Sequence, residues 1–133
     1  MKTTDFAEEL TGKLAGPRPH ADFESNGCTL APDVCPRTNA LIAAACHWHD
    51  FAYMLPGTED GRLQADADLY WNIILLGGHH KTAEHFFRAV RWGGVRAYNY
   101  VEPTGWPSKA LLSAKNFLIW SVWRKRLPLV ESP

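Results

Sequence analysis

Nowhere does this chain of 133 residues run apolar for the ~18 residues that a membrane-spanning helix needs. The longest approach, Phe117-Leu118-Ile119-Trp120-Ser121-Val122-Trp123, falls well short. The first residues lack an apolar stretch and carry Asp5, Glu8 and Glu9, so no secretory leader is expected. Cysteine is sparse. Cys28, Cys35 and Cys46 are too few for a disulfide-stapled scaffold, and their odd number leaves at least one free or intermolecular. There is no internal repeat, no low-complexity tract and no sustained polar–apolar alternation, which argues against a β architecture. Net charge is absent as well, with 14 Lys and Arg against 14 Asp and Glu.

What is present fits one mostly helical domain over residues 1–133. The zero net charge hides an asymmetry. Residues 1–80 hold 5 basic and 11 acidic side chains (−6), and residues 81–133 hold 9 and 3 (+6). Four of the six Trp lie in the basic part. Basic residues interleaved with Trp mark a lipid or nucleic-acid surface in some proteins and a solvated face over an ordinary core in others.

Residues 4–14 suggest a short amphipathic helix stopped by Pro17 and Pro19, and residues 20–37 read as a long loop. A helix is expected from about Thr38, as N-cap, to Leu55, where Pro56-Gly57 ends it. Glu59-Asp60-Gly61 reads as a continuation of that turn, and a further helix covers about Leu63 to Leu76. The next, over 81–92, has Ala83, Phe86, Phe87 and Val90 on one stripe. Residues 95–107 read as irregular, and a last helix over about 108–126 carries its basic residues near its C-terminus.

The chemistry is concentrated in Ala45-Cys46-His47-Trp48-His49-Asp50-Phe51-Ala52-Tyr53. Adjacent residues on a helix point roughly 100° apart, so His49 and Asp50 address different partners. That arrangement suits a general base on one side and a metal-binding carboxylate on the other, and so a hydrolase. Tyr53 lies one turn beyond His49 on the same face. An Asp early in the following antiparallel helix, Asp66 or Asp68, can reach the imidazole and hold one tautomer. A chance His-Asp pair on a helix surface is the plain alternative. His47, His79, His80 and His85 have no zinc-site spacing and read as solvated or capping residues.

Asp22-Phe23-Glu24-Ser25-Asn26-Gly27-Cys28, then Pro32-Asp33, then Cys46-His47-Trp48-His49-Asp50-Phe51-Ala52-Tyr53 resemble the small prokaryotic and fungal branch of the phospholipase A₂ superfamily. The likeness continues through Asp66-Ala67-Asp68-Leu69-Tyr70-Trp71 and the aromatic segment 82–92, so it spans about 22–94, with 95–133 as a basic, Trp-containing extension. The His-Asp-x-x-Tyr pattern is also similar to the phospholipase domain of parvovirus capsids and to small phage proteins.

The resemblance implies an all-α fold whose antiparallel core helices carry the motif, with further N- and C-terminal helices. It implies His49 as general base, Asp66 as its orienting carboxylate and Tyr53 in support. It also implies Ca²⁺ on Asp50, the Gly27 carbonyl and Asn26, a Cys28–Cys46 bridge, and a phospholipid or membrane surface as partner. Two residues depart from the pattern. Asn26 stands where the family has a carboxylate, which weakens a calcium site, and Ala52 replaces a glycine. Cys35 has no counterpart. With no leader, a virion component bound to other virion proteins, or a chain exported non-classically, is the other expectation. Nucleic-acid binding by 81–126 is the weakest.

Overall fold

The computed structural model describes residues 1–28 and 33–101. The sequence-expected helix over 108–126 lies outside them. The described part is all-α. A 3₁₀ turn at Thr3–Asp5 precedes helices α1 (Glu8–Thr11), α2 (Ala43–Met54), α3 (Glu59–Leu75) and α4 (His80–Gly93), and a second 3₁₀ turn follows at Gly94–Arg96. Among the described residues extended pairing is limited to isolated bridges, Lys2 with Glu24, Val34 with Leu41 and Gly57 with Tyr100. No described helix is long and apolar enough to cross a membrane.

Helix α3 packs against α2 on one side and α4 on the other. The short connections 55–58 and 76–79 make each neighbouring pair antiparallel. Arg62, in the first turns of α3, donates to the carbonyl of Val90 near the end of α4 at 3.1 Å, which shows the antiparallel order directly. Between the helices lies a core built from Ile42, Ala45, Leu69, Ile73, Ala83 and Phe87, all essentially without solvent contact. The fully buried Ala45 has only a methyl group on the α2 face turned inward. On α4 the stripe expected from spacing holds, with Ala83, Phe86 and Phe87 buried and Val90 partly so.

Helix boundaries differ from expectation at three places. The N-terminal helix expected over 4–14 is reduced to the 3₁₀ turn and the single turn of α1. Helix α2 starts at Ala43 rather than after Thr38. Thr38 Oγ1 accepts from Ala40 N at 3.3 Å, Asn39 adopts φ 59°, and Cys35 N bonds Ala40 O, so 35–40 close a turn of their own. A Thr hydroxyl bonded to backbone offers the chain this alternative to a helix start. Helix α3 begins four residues earlier than Leu63, because Thr58 is an N-cap whose hydroxyl accepts from Gly61 N at 3.4 Å. Glu59 and Asp60 in its first turn favour the positive helix end.

After α4 the chain turns back over the end of α2. Asn99 N bonds Tyr53 O at 3.0 Å and Val101 N bonds Gly57 O at 2.9 Å. This return requires a glycine at position 94, where a Cβ would lie 2.2 Å from the Tyr53 hydroxyl.

Candidate active site

Helix α2 carries His49 and Tyr53 one turn apart, and α3 presents Asp66 to both. His49 Nε2 lies 2.7 Å from Asp66 Oδ1, and the Tyr53 hydroxyl donates to the same oxygen at 2.6 Å. Asp66 has no solvent exposure and His49 only 8 %. An ionised carboxylate accepts only. The hydrogen on His49 is therefore assigned to Nε2, and Nδ1 is bare, with no hydrogen bond among the described residues. Burial, and next the negative charge of Asp66, push the Tyr53 phenol well above its ordinary pKa, so it remains a donor. Of the two aspartates that spacing allowed, Asp66 holds the ring. Asp68 instead accepts from Gln64 Nε2 at 2.9 Å, and burial raises its pKa.

Two residues that the sequence reading did not single out complete the setting of Asp66. Arg91 Nη1, from α4, donates to Asp66 Oδ2 at 2.5 Å, and Arg62 Nη1 stands 3.6 Å from that oxygen. Both guanidinium groups are fully buried. Glu59 accepts from Arg91 Nη2 at 2.8 Å, from Arg62 Nε at 3.1 Å, and from the Tyr100 hydroxyl. Two carboxylates thus meet two guanidiniums, and the cluster is neutral as a whole. The Glu59–Arg62 and Arg62–Asp66 spacings, i,i+3 and i,i+4 with opposite charge, were a readable signal. Arg91 left none, because only tertiary packing brings it to Asp66.

His49 also lines a cavity of about 10 Å³, together with Trp48, Asp68, Asn72 and the backbone strap Ala15, Gly16 and Pro17. Such a space holds about one water. Asn72, almost fully buried, fastens the strap with both ends of its amide. Its Oδ1 accepts from Ala15 N at 2.6 Å, and its Nδ2 donates to Ala15 O at 3.0 Å.

Asp50 is half-buried, and its carboxylate has no hydrogen bond among the described residues. Burial raises its pKa, partly opposed by His49. Asn26 is exposed, while Gly27 is buried at φ 70°. A Cβ on Gly27 would meet Asp33 Oδ1 at 2.8 Å, and that oxygen also accepts from Cys28 N at 2.9 Å. Cys28 and Cys46 form a disulfide, with Cα atoms 5.2 Å apart, which ties the 26–28 loop to the first turn of α2. Asp50 follows Cys46 one turn later on that face. No hydrogen bond joins Asp50 to Asn26 or Gly27, and no group of three His, Cys, Asp or Glu is arranged for a metal among the described residues.

His47 is not solvated, contrary to expectation. It is fully buried, with Nε2 2.8 Å from Thr3 Oγ1 and Nδ1 2.5 Å from Ser25 Oγ. It ties the N-terminal turn and the 25–28 loop to α2. His79 caps α4, its Nδ1 accepting from Lys81 N at 3.1 Å. Cys35 is buried and unbridged, 3.4 Å from Thr82 Oγ1 and 3.4 Å from the His79 N–H.

Set against known proteins, the chain has no significant match to any family model, curated protein or solved structure.

Proposed function

We propose that this chain is a phospholipase A₂-like hydrolase that cleaves a carboxylic ester of a glycerophospholipid with calcium. The observation that carries the reading is the His49 Nε2–Asp66 Oδ1 contact of 2.7 Å, in a setting closed to solvent, with Tyr53 on the same oxygen. Asp66 selects the tautomer in which Nδ1 is the proton acceptor, as a base that activates water requires. A water at Nδ1 would lose its proton to that nitrogen as its oxygen attacks the ester carbonyl. The imidazolium so formed is held by Asp66 and returns the proton to the leaving alkoxide.

Asp50, the Gly27 carbonyl and Asn26 are the residues that would hold Ca²⁺. They offer oxygen donors only, as a hard cation prefers, and the half-buried Asp50 carboxylate has no hydrogen bond among the described residues. When bound there, Ca²⁺ would supply positive charge that polarises the ester carbonyl. Asn26 contributes a neutral oxygen, so the reading carries weak calcium affinity with it.

A second reading, a structural component of a phage particle on the same fold, is favoured by one feature. The cavity beside His49 holds about one water, and Asn72 bonds the strap across it. A cavity of that size does not admit a lipid ester, so a substrate entering there would need the lining to open. The deciding experiment is hydrolysis of phosphatidylcholine and phosphatidylglycerol vesicles by the whole chain, with calcium or with chelator, beside His49→Gln. Calcium-dependent release of fatty acid that H49Q lacks is expected. No release from either vesicle would leave the structural reading standing.

A further inference from the structure

Asp66 Oδ1 takes two donors, the imidazole of His49 and the phenol of Tyr53, whereas Oδ2 takes the guanidinium of Arg91 at 2.5 Å. If Oδ2 were unheld, only the two donors on Oδ1 would limit rotation about the Cβ–Cγ bond, and the acceptor geometry at the His49 N–H would loosen. We infer that Arg91 is a positioning residue for the His49–Asp66 pair, its Nη1 fixing Asp66 Oδ2 so that Oδ1 remains the acceptor for His49 Nε2 and Nδ1 remains the bare nitrogen.

Arg91 is suited to this by its second arm. Nη2 donates to Glu59 Oε1 at 2.8 Å, so the planar fork is anchored at two carboxylates and cannot swing away from Asp66. Glu59 is steadied in turn by Arg62 and the Tyr100 hydroxyl. Arg62 does not share the role. Its Nη1 is directed to the Val90 carbonyl at 3.1 Å and stands 3.6 Å from Asp66, so it contributes charge without fixing an oxygen.

The catalytic consequence rests on the reading of His49 as general base; the tautomer itself does not, and it is what the test reads. Imidazole ¹⁵N spectra of the full chain are recorded for wild type, Arg91→Gln and Arg91→Lys at one pH. Wild type should show His49 as a single Nε2–H tautomer. R91Q should show a mixture of tautomers, and R91K should restore the single form. An R91Q spectrum identical to wild type, or a wild-type ring protonated on Nδ1, would overturn the inference.

Should R91Q not fold, the wild-type chain alone decides. The Arg91 Nη protons should exchange with solvent at least about tenfold more slowly than those of the exposed Arg96. Equal rates would refute the role. In a chain that hydrolyses lipid, R91Q should lower kcat by about 100-fold with KM nearly unchanged. A tautomer shift without any hydrolysis in wild type defeats the proposed function and leaves the positioning role intact. Hydrolysis with no tautomer shift does the reverse.

Discussion

Asp66 and Asp68 stand two residues apart on α3, and both belong to the surroundings of His49, yet they live in opposite settings. On the Asp66 side every polar atom of the carboxylate is held, solvent is excluded, and charges of both signs cancel. On the Asp68 side there is a small cavity, a half-buried carboxylate bonded to a glutamine, and a backbone strap held by one amide. One side is built to stay as it is. Among the described residues, the other is closed by two hydrogen bonds of Asn72, each with a net worth of about 1 kcal/mol. Under the proposed hydrolase reading, one wall would fix the base and the other would admit the reactant.

The sharpest way to break this contrast is to neutralise each aspartate in turn. Asp66→Ala strands the buried Arg62 and Arg91 charges and should cost about 3–5 kcal/mol of stability in urea denaturation. Asp68→Asn should stay within about 0.5 kcal/mol of wild type. Similar losses at both positions would erase the distinction. Next in size is the chemistry. His49→Gln should lower vesicle hydrolysis by about 10²–10⁴-fold while the circular dichroism spectrum is retained.

The strap side is probed by Asn72→Ala, which removes both bonds to Ala15. A loss of about 1–3 kcal/mol is expected, because the change also leaves a small void in a buried position. Hydrogen exchange at the Ala15 amide should accelerate more than exchange in α4. Unchanged protection at Ala15 would show that the strap is held by something other than Asn72. Gly94→Ala tests the fixed side from behind, since its Cβ would press on the Tyr53 hydroxyl, and about 1–3 kcal/mol should be lost.

The smallest effect belongs to Asp50. Its pKa is raised by burial, so the folded state binds that proton more tightly than the unfolded chain does. The contribution to stability is therefore fully present below the unfolded-state value and is lost as pH rises from there through the raised folded-state value. Without calcium, Asp50→Asn should slightly stabilise the protein at neutral pH and remove this decline with rising pH from its stability profile. Calorimetry with calcium reads the same residue the other way. Binding should be weak in wild type, absent in D50N and tighter in Asn26→Asp, where a neutral ligand becomes charged.

Much of the fixed side was legible because it is written in local spacing. His49 and Tyr53 fall one turn apart, and the stripe on α4 repeats with the helix. Spacing left Asp66 and Asp68 equal, and only the likeness to a known motif separated them before the structure did. Arg91 was invisible, since its partner lies 25 residues away in sequence and only the packing of α4 on α3 joins them. The helix starts were misread where polar residues have two uses. Thr38 closes a turn instead of a helix, and Glu59-Asp60-Gly61, rich in turn formers, follows an N-cap and is helical. Asn72 gave no sign of its strap, because an Asn in a helix interior has no pattern that distinguishes a buried clasp from a solvated side chain.

The Cys28–Cys46 bond closes a covalent ring that contains the whole turn around Asn39. Arg37, exposed on that turn, is a natural point of attack for a trypsin-like protease. A cut there would not release a fragment. The piece bearing Phe6 and Phe23 would remain joined to the piece bearing His49 until a reductant was added. On a denaturing gel, nicked protein should therefore run as one band without thiol and as two with it, so the bridge makes the molecule tolerant of a break in its own backbone.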